Sequence, residues 1–194
     1  INNAYQRQVN LNREHLYLKG LSDEFETSRL KLKELIKVNR QNYNSTKALL
    51  ELMEEGKDSV KEEELSQDLY NSIALDINFN PNNSLLEEML NSGSVKDISN
   101  ARLRKLLVNW KPLMADIENQ EAELSQQRNK VLDLFRGTDY SIRTVLDLSE
   151  VSQELGLSQR ASRWSNQDLL QSREFENNLL TFLLTTYSTE ENHY

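Results

Sequence analysis

Asp76, Asn78, Asn80, Asn82, Ser84 and Glu87 fall at positions 1, 3, 5, 7, 9 and 12 of the window DINFNPNNSLLE. Oxygen-bearing side chains at that spacing are the ligand set of an EF-hand calcium loop. The window departs from that loop at position 6, where a sharp turn requires Gly and this chain has Pro81, with φ locked and no N–H. Position 8, normally apolar, is Asn83, and only Asp76 and Glu87 bring charge. These residues predict a corner between two helices, with Asn side chains satisfying exposed backbone groups, in place of an ion site.

Other constellations fall short in the same way. A di-iron bundle needs two E-x-x-H pairs and two further inward Glu residues. Here there is one pair, Glu190 with His193; the other histidine, His15, follows Asn12 at that spacing. Both histidines read as solvent-facing or packed at bundle edges. No G-x-S-x-G, H-E-x-x-H, P-loop or dinucleotide pattern is present, and Gly56-Lys57 lacks the upstream Gly. No catalytic, metal-ligating or cofactor-binding residue is assigned, no cofactor is implied, and the chain reads as non-enzymatic. Four residues remain as candidate ligand or partner contacts: Trp164, Trp110, Asn39 and Asn42. Trp110 sits on an apolar helix face, which favours a core role over a ligand cleft. Trp164 lies between Arg163 and Ser165 in an irregular stretch. Asn39 and Asn42 interrupt a hydrophobic seam and read as register or partner selectors, or as solvent-facing positions near a flaring bundle end.

Such residues must be positioned by helices. The chain has 194 residues, five Gly, two Pro and no Cys, with a formal charge of -8 and a mean hydropathy of -0.71. β-branched residues are sparse and apolar residues recur at helical intervals, so the expected class is all-α. The acidic balance, concentrated in DSVKEEELSQD, argues against a nucleic-acid partner, since phosphate binding requires a basic face. Without Cys there are no disulfides, thiolate nucleophiles or Cys-bound metals.

From Ala4 a seven-residue register runs through Leu11, Leu18, Phe25 and Leu32, with Leu21, Ser28 and Leu35 three positions after the later members. This a/d seam weakens at Asn39 and Asn42, resumes at Leu49 and Met53, and stops at Gly56. It predicts a coiled-coil-like N-terminal helix over 1–56, about 80 Å long, in an elongated antiparallel bundle forming a single helical domain over 1–194. Two shorter helices are expected within 60–93, the first from about Val60 to Ile77. The second begins at an S-x-x-E capping box of Ser84 and Glu87 and ends at Gly93. A long helix over 99–137, capped by Ser99 or Asn100, contains Pro112, which predicts a kink or break near Val108 to Lys111. Residues 138–165 read as irregular with short helices. A final helix over 166–194 carries Leu169, Leu170, Phe175, Leu179, Leu180, Leu183, Leu184 and Tyr187 on its apolar positions.

The segment FNPNNSLLEEMLNSGSVKDISNARLRKLLVNW carries an F-x-P motif (Phe79, Pro81), a short helix ending in S-G (Ser92, Gly93) and an apolar turn (Val95, Ile98). It continues with L-R-x-x-L (Leu103, Arg104, Leu107), and REFENNL follows at Arg173 to Leu179. In these features it resembles a family of uncharacterised bacterial membrane proteins whose N-terminal transmembrane helix ends in an I-N-N-W-N-like sequence. This chain begins INNA, with Ala4 in place of the Trp. The resemblance implies a single-span anchor upstream of this segment and a helical domain on the periplasmic side of the inner membrane; it carries over no catalytic residue. No stretch here approaches the roughly eighteen apolar residues of a span. The leading expectation is thus a membrane-tethered interaction or scaffold module with a protein partner or self-association. The alternative is a ligand-sensing periplasmic bundle with a small-molecule pocket between the final helix and 137–165, near Trp164.

Overall fold

Leu, Glu, Lys and Gln recurring at helical spacing with few breakers produce long helices, and the computed structural model describes the backbone of residues 2–193 and the side chains of 3–190. The fold is all-α, with no strand among the described residues. α1 spans Asn2–Glu55, α2 Glu62–Ile73, α3 Ser84–Ser92, α4 Ala101–Asp133, α5 Ile142–Leu148, α6 Val151–Glu154 and α7 Arg173–His193. Single 3₁₀ turns lie at Ser94–Asp97, Leu134–Arg136 and Gln167–Gln171. Gly56 and Gly93, both at positive φ, terminate α1 and α3.

The residues form two compact units. The first combines α1 up to Leu35 with Asn78–Asn119; the second combines Ile36–Ile77 with everything from Gln120 onward. In the first, Leu21, Leu86, Met89, Ile98 and Leu107 form a core against which Phe25, Leu85 and Trp110 pack, and Phe79, Met114 and Ile117 form an adjoining cluster. In the second, Leu49, Leu65, Leu69, Leu124, Val131, Phe175, Leu179 and Phe182 are buried, and α2 packs on α5.

Several expectations are corrected. The N-terminal seam packs only from Leu21 on: Ala4, Leu11 and Leu18 are exposed, because no other element of their unit covers them. α2 ends at Ile73, not Ile77. The carbonyls beyond it are taken by other elements: Arg128 donates to those of Ile73 and Ala74, and the Asn42 amide to that of Leu75. Pro112 neither breaks nor ends α4. It cannot donate to the Val108 carbonyl, and both residues lie on the exposed face of the helix. The last helix starts at Arg173, where the Ser172 hydroxyl accepts from the Phe175 N–H at 3.2 Å, and Gln167–Gln171 is a separate 3₁₀ turn. Phe182, absent from the expected apolar set, is fully buried, whereas Leu180, Leu184 and Tyr187 face outward.

The capping box at α3 is also overturned. Asn83 precedes the helix without a side-chain bond, and neither Ser84 nor Glu87 caps it. A carboxylate from α1 does so instead: Glu24 accepts the N–H of Leu85 at 2.7 Å and of Leu86 at 3.3 Å. A negative charge there meets the partial positive charge of the helix start as well as its unpaired donors. Close approach of the two helices is possible because α1 carries Gly20, where an added Cβ would stand 2.4 Å from Leu85 Cδ2.

Candidate functional site

The corner around DINFNPNN is stitched into the first unit by α1. The Ser28 hydroxyl accepts the Asn82 N–H at 2.8 Å, and Lys31 Nζ donates to the Asn80 carbonyl at 3.0 Å. An ammonium group bonded to a loop carbonyl opposes a cation at the same place. In the second unit, the Asp76 carboxylate accepts from its neighbour Ile77 N–H and from the Ser125 hydroxyl, with Arg128 3.7 Å away. Among the described residues no group of three or more His, Cys, Asp or Glu side chains is arranged to hold a metal. His15 is exposed, Glu190 accepts from Arg40 at 2.5 Å, and the His193 side chain lies outside the described residues.

Of the four candidate contacts, three are turned inward. Asn39 is buried in the second unit and its Nδ2 donates to the Thr186 carbonyl at 3.0 Å. Asn42, equally buried, donates to the Leu75 carbonyl at 3.3 Å, so it fastens the chain beyond α2 and does not face solvent. Trp110 stacks edge-on against Phe25, with ring centroids 4.8 Å apart and planes at 82°, and joins both apolar clusters of the first unit. Burial of the two Asn side chains and packing of half-buried Trp110 against the core fit polar fastening and core packing rather than surface recognition.

Trp164 is the exception, with 74% of its surface exposed. Its position is fixed through the backbone. The Thr144 hydroxyl donates to its carbonyl at 2.7 Å. Two residues on, fully buried Asn166 accepts the Ser141 N–H at 2.7 Å and donates back to the Ser141 carbonyl at 3.0 Å. The Glu62 carboxylate, at the first turn of α2, accepts from the Ser165 hydroxyl at 2.6 Å and the Asn166 N–H at 2.8 Å. Gln167 and Asp168 are tied to the Val60 carbonyl and Lys57. A loop without apolar burial of its own is thereby held at its C-terminal flank.

A cleft of about 280 Å³ opens beside Trp164, lined by Phe135, Thr138, Asp139, Tyr140, Ser141, Ile142, Arg143 and Arg160. The Phe135 and Tyr140 rings lie 6.2 Å apart. One wall is built on buried Asp147, which accepts from Arg143 Nε at 2.9 Å and from the Arg160 N–H at 3.3 Å. Arg143 also donates to the Ser158 carbonyl. The Ser152 hydroxyl, the Arg160 amide and the Arg143 guanidinium together hold the Asp147 carboxyl below the usual aspartate range. Among the described residues, none of α7 lines this cleft. Sequence reasoning singled out Trp164 but missed Arg160 and Tyr140. The available signal was QRASRW, two cations beside an aromatic with no acid in 156–165, within an acidic chain.

A second cleft of about 450 Å³ lies between α1 and the start of α7, lined by Leu50, Met53, Glu54, Leu170, Gln171, Ser172, Arg173, Glu176 and Leu180. Along α7 the apolar lining continues outward as Leu180, Leu184 and Tyr187, exposed by 42%, 66% and 52%. Spacings of four and three put them on one helical face. The Tyr187 ring is 6.4 Å from that of Tyr43 on α1.

The class these elements define is an all-α helical domain, and among the described residues no helix is long and apolar enough to cross a membrane. Compared with protein-family profiles, curated proteins and solved structures, the chain matches none.

Proposed function

We propose that this chain is a non-enzymatic interaction module, the extracytoplasmic helical domain of a single-span bacterial membrane protein. The observation that carries the interaction role is the exposed stripe Leu180, Leu184 and Tyr187 on α7, continuous with the apolar lining of the cleft against α1. Large apolar side chains repeated on one face of a surface helix are anchors for a facing helix, whether of a partner protein or of a second copy. The membrane tether and the periplasmic side rest on the resemblance carried by Phe79, Pro81, Gly93, Leu103, Arg104 and Leu107.

The test places a photo-crosslinking amino acid at position 184 and follows mass by light scattering. The expected result is a discrete adduct, or a concentration-dependent dimer, that Leu180→Glu suppresses while far-UV circular dichroism is unchanged. A strictly monomeric chain that yields no adduct, in isolation or in membrane extracts, would overturn the interaction role. Fractionation of the full-length gene product tests the tether: recovery in the soluble fraction would overturn it.

A further inference from the structure

We infer that the cleft beside Trp164 is a binding site for a small carboxylate carrying a flat apolar ring. This goes beyond the helix-docking role and rests on residues that the α7 stripe does not include. Three features of the second unit carry it. Trp164, Tyr140 and Phe135 present aromatic surface to one cleft, and such surface takes a flat ring by stacking. Arg160 lines the same cleft and, among the described residues, has no carboxylate in ion-pair reach, while Arg143 is already engaged by Asp147. A guanidinium without a protein partner beside aromatic rings selects an anion of planar, two-oxygen geometry.

The third feature is the cost of order. An exposed Trp on a mobile loop would have to be immobilised by its ligand, which subtracts from affinity. Here Thr144 holds the Trp164 carbonyl, Asn166 and Glu62 hold the residues that follow it, and the Asp147 carboxylate holds the Arg160 N–H four residues before it. Asp139 also lines the cleft and accepts from the Thr138 hydroxyl at 3.3 Å. Its charge sets a limit: a single carboxylate held near Arg160 is accepted, and a second negative group near Asp139 is repelled.

Trp164 can be read alone in a Trp110→Phe chain, since the protein has two tryptophans. Phenylacetate is the probe, with benzylamine and acetate as controls for charge and ring. Saturable quenching or a blue shift of Trp164 emission by phenylacetate is expected, with a Kd on the order of 1 mM, as befits a fragment of this size. Arg160→Gln should weaken it by about tenfold or more, and Asp139→Asn should tighten it a few-fold. Trp164→Phe, followed by ligand-observed NMR, should retain part of the binding because the charge contact remains. Equal response to benzylamine, an unchanged Kd in Arg160→Gln, or no saturation by 50 mM phenylacetate, the last on the order of fifty expected Kd values, would each overturn the site. None of these outcomes bears on the α7 stripe.

Discussion

Removing the carboxylate of Glu24 should weaken the fold more than removing either residue of the apparent capping box. Glu24 Oε1 and Oε2 accept the N–H groups of Leu85 and Leu86 at the start of α3, and no side chain of that helix's own cap competes for them. Glu24 is half-buried, so water replaces part of what is lost. Loss of an N-terminal cap typically costs about 0.5–2 kcal/mol, and a hydrogen bond to a charged group about 1.5–3. The expected cost of Glu24→Ala is therefore roughly 1–2 kcal/mol. Glu24→Gln keeps one acceptor without the charge and should cost about half as much. Ser84→Ala and Glu87→Ala should stay within about 0.5 kcal/mol, as surface changes away from such features do. The assay is urea unfolding read by Trp110, which packs in the same unit, in a Trp164→Phe background. At a slope of about 1–3 kcal/mol per molar urea, Glu24→Ala should move the midpoint by about 0.5–1.5 M. A midpoint unmoved by Glu24→Ala, or a larger loss from Glu87→Ala, would refute the assignment of the cap to α1.

Phe182→Ala removes a fully buried ring from α7 and should cost about 3–5 kcal/mol by equilibrium unfolding. Asp147 titrates lower in the folded chain than in the unfolded one, so its contribution is complete at neutral pH and is lost as pH falls through its folded value. Melting temperature against pH should accordingly flatten on the acid side in Asp147→Asn. Burial, reinforced by Glu64, raises the Asp68 carboxyl, so its ionised form weakens the fold above that value. Asp68→Asn should stabilise at pH 7, and the gain should vanish as the pH is lowered. Gly20→Val overpacks the contact with Leu85 and should cost about 1–3 kcal/mol. Leu85→Ala in the same chain should recover part of it, seen as a coupling of about 1 kcal/mol in a double-mutant cycle.

The all-α class was legible because Leu periodicity and the scarcity of Gly and Pro are local properties, and the end of α1 because Gly56 is a local stop. What escaped the sequence is non-local. The α3 cap comes from Glu24, sixty-one residues before Leu85. Past the end of α2 the chain is held from other elements: Arg128 takes the Ile73 carbonyl that a helix reaching Ile77 would have used, and Asn42 takes that of Leu75. Of the kink or break expected from Pro112, the break does not occur: α4 runs through it, at a position where the side chains of Val108 and Pro112 are exposed. On α7, Phe182 and Leu184 cannot be told apart by residue type; the packing of α1 and α4 decides which side is inside. Trp164 was legible as an odd aromatic, but the partners that freeze it are Thr144, Asn166 and distant Glu62. Asn39 and Asn42 stood out correctly as polar residues on a seam, and burial turned them into internal fastenings.

The attachment of the Trp164 loop to Glu62 also governs how it can come undone. The Asn166 amide and the Ser165 hydroxyl share an acceptor in the first turn of α2, so that acceptor is in place only while α2 is wound. Opening of the loop and fraying of α2 should then form one cooperative unit. Amide hydrogen exchange at Asn166 should proceed at the pace of the α2 amides and not at the fast rate of the exposed residues 161–163. Loosening the first α2 turn would free the Ser165 hydroxyl and the Asn166 N–H while Thr144 still holds the Trp164 carbonyl, and a ligand that clamps the loop would slow exchange along α2.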